Sequence, residues 1–260
     1  MAEQTMSQNR ELCISNSSKV NILKGKGGYD DFAQMVLDDE NQVLENLQVR
    51  ANLSRLVALP EGCQAFAGAF YFIRYNFYKL NFIVGARCGP DETFWSGLVH
   101  SLYEEVGGGG GKSHNELYRD FLREVGVRDE WELKQPAFAA PFNQAWEEYC
   151  STSPVEEALA GVAIFEILDQ PDYALLFEVM KETGVSAKGL KFFEVHAHAQ
   201  HFDFFQEIVS RFWKHKYSRE ALLRAASFVN SSQEQMWRGL LNHLTKVTAS
   251  KDHNTQVMLT

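Results

Sequence analysis

The chain has 260 residues, 45% hydrophobic and 13% aromatic, which is enough apolar material for a sizeable core and too many aromatics for a disordered protein. A net charge of -9 at pH 7, with no cluster of lysines and arginines set against it, argues against nucleic acid as a partner. Cys13, Cys63, Cys88 and Cys150 lie far apart with no CxxC spacing, so reduced, buried thiols are expected rather than a disulfide framework or a zinc ribbon.

Residues 1–28 are polar and carry no apolar stretch of signal-peptide type, so they are expected to be poorly ordered and the protein cytoplasmic. From Tyr29 the periodicity is helical. "DDFAQMVLDDENQVLENLQVRANLSRLV" carries Phe32, Met35, Val36, Val43, Leu44 and Leu47 at helical spacing and breaks at Pro60-Glu61-Gly62. The next helix, "AFAGAFYFIRYNFYKLNFIVGA", comes closest to the roughly 20 apolar residues of a membrane span. Arg74, Asn76, Lys79 and Asn81 interrupt it, so it reads as a mostly buried helix ending at Gly89-Pro90, and no membrane is expected.

Helices over 91–106, 113–125 and about 141–150 follow. The first carries Phe94, Leu98, Leu102 and Val106 four apart, and Ser113 with Glu116 three residues on forms a capping box for the second. "SPVEEALAGVAIFEILDQPDYALLFEVMKETG" opens on Ser153-Pro154 as cap and first-turn proline and is expected to bend at Pro171. "SAKGLKFFEVHAHAQHFDFFQEIVSRFWKHK" and "SREALLRAASFVNSSQEQMWRGLLNHLTKV" complete the set. No alternating strand pattern competes, so an all-α protein of about seven to nine helices is predicted.

The glycines of "EEVGGGGGKSH" do not form a phosphate loop. Counting back from Gly111-Lys112-Ser113 puts Val106 where the first glycine is required, and a helix rather than a strand precedes the run. They read as the end of one helix and the link to the next, which lets Glu105 and His114 reach the same point.

Three places put ionisable groups in apolar surroundings, where they are costly unless paired or bound to a metal. These are Glu105 with His114, Glu166 in "ALAGVAIFEILDQP", and "FFEVHAHAQHFDFF". On a helical wheel His196, Gln200 and Asp203 fall within roughly 60° of one another, with His198 and His201 on the other side. Singly, each group fits an ordinary solvated or surface role. Together they offer the mixed nitrogen and oxygen donors that suit iron or manganese.

The order "SLYEEVGGGGGKSHNELYRDFLREVGV", then "AIFE", then "FFEVHAHAQHFD" resembles the haem-oxygenase-like diiron oxidase and oxygenase superfamily, which includes CADD-like, PqqC-like and TENA-like proteins. The resemblance implies one haem-oxygenase-like helical domain over 29–248, a polar tail over 249–260, a homodimer, and metal ligands at Glu105, His114, Glu166 and His196. In the last motif Gln200 stands at the family's aspartate position and Asp203 at its final histidine, so a single iron is the alternative to a diiron centre. The function implied is an oxidase or oxygenase that uses one or two iron ions, or manganese, with O₂ as co-substrate and an external electron donor. Its substrate would be a small organic acid, amino acid or fatty-acid-like molecule. Tyr71, Arg74, Tyr75, Tyr78, Phe165 and Phe192 are the expected pocket residues, with Arg74 or Lys79 anchoring a carboxylate. The rivals are a metal-free enzyme of this fold with a cysteine nucleophile, and a non-catalytic binding protein.

Overall fold

A computed structural model describes residues 29–257 apart from 75–76, 128–130, 132 and 199–202. Expectations that fall on Cys13, Tyr75, Gln200 and His201, and on the side chain of Asp203, lie outside the described residues.

Among the described residues there are eleven α-helices and no strand. They are α1 (Tyr29–Asn46), α2 (Val49–Val57), α3 (Pro60–Arg74), α4 (Phe77–Arg87), α5 (Glu92–Glu105), α6 (His114–Glu124), α7 (Ala139–Thr152), α8 (Val155–Glu182), α9 (Ala187–His198), α10 (Asp203–Lys214) and α11 (Lys216–Val257).

The surplus over the expected number has local causes. The first expected helix is two, because Gln48 takes a left-handed conformation (φ 48°, ψ 44°) between α1 and α2. The aromatic helix and the histidine helix are each described as two segments, α3 with α4 and α9 with α10, on either side of residues that are not described. Pro60-Glu61-Gly62 is not the break but the first turn of α3, where proline's missing N–H costs nothing. Gly62 lets α2 and α3 cross closely, since a Cβ there would stand 1.9 Å from the Leu56 carbonyl oxygen. At the other end α11 continues to Val257, into the expected polar tail.

Helix α8 is the axis of the bundle. Every residue from Ala158 to Ile164 is buried, the mark of a helix apolar all round and therefore enclosed. Helices α9 and α11 pack along it, and α1, α2, α4, α7 and α10 also touch it. It runs unbroken through Pro171, whose ring leaves the Ile167 carbonyl without its usual helical donor. No single described helix is long and apolar enough to cross a membrane.

The interior holds an acid pair that composition does not announce. Glu40 of α1 and Asp172 of α8 are both buried. Trp237 Nε1 donates to Glu40 Oε1 at 3.2 Å, and Gln233 Nε2 donates to Asp172 Oδ2 at 2.9 Å, both donors coming from α11. Burial pushes the Glu40 carboxyl up to about 7, against the opposing hydrogen bonds from Asp172 and Trp237. Burial, and then the charge of Glu40, push Asp172 well above the usual carboxylate range. Two carboxyl groups so placed share a proton near neutrality.

Because the folded state holds this proton more tightly than the unfolded chain, the pair's contribution to stability is complete below about pH 4.5 and is lost as pH rises through about 7. Glu40→Gln removes that slope. Between pH 4.5 and 8 the stability of the variant relative to the parent should rise by up to about 3 kcal/mol, read from urea denaturation at the two pH values. Parallel pH profiles would show that the pair is not strained by ionisation.

Candidate metal centre

The centre is assembled by the ends of helices. Asp91 caps α5 by accepting from the Thr93 backbone N–H at 3.0 Å, and α5 runs to Glu105. Gly107 then takes φ 79°, ψ 37°, a left-handed conformation that reverses the chain. A Cβ on Gly107 would stand 2.5 Å from the Gly111 carbonyl oxygen and 2.7 Å from the Ser113 nitrogen, so only glycine closes this loop without displacement. A 3₁₀ turn over Gly108–Gly110 follows. Ser113 and Glu116 form the full capping box, which starts α6 at His114. Lys112 Nζ lies 2.6 Å from Asp120 of α6 and fastens the loop to the helix it feeds. From α4, the Tyr78 hydroxyl donates to the Glu105 carbonyl at 3.3 Å and holds the end of α5.

His114 Nδ1 lies 2.7 Å from Glu105 Oε1. His196 arrives on α9, which packs against both α6 and α8, and its Nε2 lies 3.6 Å from the same oxygen. The two imidazole rings meet edge to face with centroids 4.4 Å apart. All three side chains are buried, and one donor atom from each lies within 4.8 Å of the others.

Burial opposes charge on Glu105, yet the hydrogen bond and charge of His114, with His196 close beside it, hold the carboxyl well below its usual range. Burial brings the His196 imidazole down to about 4, with Glu105 pulling the other way, so the ring is neutral at physiological pH. Its Nδ1 lies 2.8 Å from the Phe192 carbonyl, which only accepts, so the proton sits there and Nε2 presents a lone pair. That lone pair faces the Glu105 carboxylate. Two acceptors turned toward one another in a buried place repel unless a cation lies between them. Two imidazoles and one carboxylate are donors suited to iron, and a backbone carbonyl fixing the distal ring nitrogen is the usual support of a metal-bound histidine.

The remaining residues named from the sequence are placed differently. Glu166 is buried on α8, and its Oε1 accepts from Ser101 Oγ at 3.1 Å. Ser101 stands one turn before Glu105 on α5, and Glu166 is not among the three close-set donors. His198 is exposed, its ring against Phe177 at 6.3 Å.

A cleft of about 750 Å³, its open mouth included, reaches Glu105 and His196. Arg74 and Phe165 line it. Tyr71 does not, packing instead against Phe72 and Tyr118, and Tyr78 and Phe192 stand behind the wall as supports for Glu105 and His196. Lys79 is spent on an ion pair with Glu147 at 2.5 Å and is half exposed.

Sequence reasoning missed Asp169, Asp172 and Tyr173, which line the cleft from α8, and Gln233 and Trp237, which line it from α11. Tyr173 stacks on the His196 ring at 4.3 Å. The signal for the first group was present, since Glu166, Asp169 and Tyr173 recur at helical spacing in "FEILDQPDY". Glu40 gave none, being one of several acids in "LDDENQVLE".

Gly107→Ala places a Cβ at a positive φ and against two backbone atoms, so iron(II) affinity should fall at least tenfold while the helical circular dichroism is kept. Gly111→Ala, in extended backbone with nothing within 4 Å of the added carbon, should leave affinity within about twofold. Equal effects would mean that the loop does not set the Glu105–His114 geometry.

A family model described as iron-containing redox enzyme, of haem-oxygenase type, matches residues 64–228. No curated protein matches the chain. The matched span runs from α3 into α11 and contains Glu105, His114, Glu166 and His196. With well over half its length so matched, and with two imidazoles and a carboxylate gathered at the bundle's centre, the chain belongs to the haem-oxygenase-like family of iron-containing redox enzymes.

Proposed function

We propose that the protein is an iron-dependent oxidase or oxygenase that uses O₂ to oxidise a small organic molecule held in the cleft beside Glu105, His114 and His196. The observation that carries this reading is the His196 lone pair turned on the Glu105 carboxylate at 3.6 Å, with the His196 proton fixed on the far nitrogen. Iron held by these three groups supplies one-electron redox chemistry toward O₂.

The chain's own residues supply the rest. Phe77 and Trp146 pack on Phe165 at 5.9 Å and 5.3 Å and give the cleft an apolar wall that excludes water from the substrate. Arg74 lies over the faces of Tyr118 and Phe192, at 5.0 Å and 4.8 Å, which fixes its guanidinium on the cleft wall. Burial pushes the Tyr173 phenol well above its usual range, so it stays protonated against His196 and holds that ring in place. Glu166 is the ligand we assign to a second ion.

The metal-free alternative needs an activated thiol, and the described cysteines do not offer one. Burial pushes Cys63 up to about 11 and Cys150 up to about 12, raises Cys88 as well, and none of the three lines the cleft.

After anaerobic reconstitution with iron(II), elemental analysis should find one to two irons per chain. Glu105→Ala and His196→Ala should each lose at least nine-tenths of the first iron, Glu166→Ala should lose only the second, and His198→Ala should lose none. Retention of iron by His196→Ala, or equal loss from His198→Ala, would overturn the ligand assignment.

A further inference from the structure

The cleft carries a second group of polar residues besides the metal donors, contributed by α8 and α11. Asp172 and Gln233 line it and are almost wholly buried, at 5% and 2% exposure. The Gln233 amide nitrogen is committed to Asp172 Oδ2 at 2.9 Å, which fixes the orientation of the amide. Among the described residues, Gln233 Oε1 and Asp172 Oδ1 are left buried with no hydrogen-bond donor. The proton shared with Glu40 can serve the aspartate oxygen, but nothing serves the amide oxygen. Native interiors rarely leave such acceptors unserved, because each costs roughly 1–3 kcal/mol.

Buried acceptors on residues that line a cavity call for a ligand that only donates. An ammonium group has three donors and no acceptor. Charge points the same way, since three carboxyl groups line the cleft, Glu105, Asp169 and Asp172, against the single guanidinium of Arg74. That guanidinium is already laid over two rings and donates to Asn115 Oδ1 at 3.3 Å. The aromatic rings of Trp237 and Tyr173 line the same cleft, and aromatic surroundings favour a cation over an anion. Glu40, fully buried behind Asp172, supplies a second carboxyl that a bound cation would allow to ionise.

We propose that Asp172 and Gln233 on the cleft bind the ammonium group of a primary-amine substrate, whose carbon chain then lies along the aromatic wall toward Glu105 and His196. This names the substrate class for the function proposed above and rests on that reading only for the oxidation of the amine, not for its capture. Trp146 Nε1, a buried donor on the same cleft without a partner, is left for an oxygen elsewhere on the same molecule.

The test is calorimetric titration of the full, metal-free chain at pH 7.5 with n-pentylamine, 1-pentanol and pentanoate, molecules of equal length that differ in the head group. The amine should bind at least tenfold more tightly than either of the others. Asp172→Asn and Gln233→Leu should each weaken it tenfold or more, while His198→Ala leaves it unchanged. Preference for pentanoate, absence of amine binding, or full amine affinity in whichever of the two variants folds would overturn the proposal. Iron content is measured on the same preparation. Amine binding without iron binding would sink the oxidase reading and leave this one standing, and iron binding with no amine binding would do the reverse.

Discussion

A buried carboxylate approached by two imidazoles is the arrangement on which the rest depends. Burial works against the Glu105 charge; the hydrogen bond with His114 offsets part of that cost, and the His196 lone pair leaves a cation to supply the rest. Three separate pieces of chain must therefore end at one point. Helix α5 delivers the acid at its last residue, the glycine loop returns the chain so that α6 begins on one histidine, and α9 brings the other against both α6 and α8. The precision is local in origin: a left-handed Gly107, a capping box at Ser113 and a phenol on the Glu105 carbonyl.

The same core carries a second concentration of charge at Glu40 and Asp172, solved differently. Among the described residues no basic group hydrogen-bonds to that pair; amide and indole donors from α11 reach it instead, and a shared proton relieves the repulsion. The cleft joins the two places, being lined by Glu105 and His196 and also by Asp172 and Gln233. A bundle whose central helix is apolar on all sides over Ala158–Ile164 tolerates Glu166, Asp169 and Asp172 only in the stretch that follows, around Pro171. There the helix meets the cleft.

Much of the fold was legible because its signals are short in range. The four-residue spacing of Phe94, Leu98 and Leu102, the Ser113–Glu116 box and the Ser153-Pro154 start each depend on neighbours within a turn or two. Glu105, His114 and His196 stood out for the same kind of reason, as charged or imidazole groups at helix ends or among phenylalanines. The break at Gln48 was hidden, since glutamine is a good helix former and its left-handed conformation follows from how α1 and α2 pack rather than from its own preference. Glu40 was hidden for a different reason. Among Asp38, Asp39 and Glu40, burial is decided by which residue faces α8 and α11, a contact across 132 and 197 positions of sequence to Asp172 and Trp237. That Glu166 meets Ser101 rather than joining the three close-set donors is likewise set by how α8 lies against α5, which no local pattern encodes.

The central claim is that the acceptor pair formed by His196 Nε2 and Glu105 Oε1 exists to hold a cation. Crystals grown anaerobically with iron(II) and measured on both sides of the iron absorption edge test it directly. The account predicts an anomalous-difference peak within bonding distance of Glu105, His114 and His196 Nε2, with the His196 Nδ1 still on the Phe192 carbonyl. A peak elsewhere, or iron-free density with the His196 ring turned to place its N–H on Glu105, would contradict it.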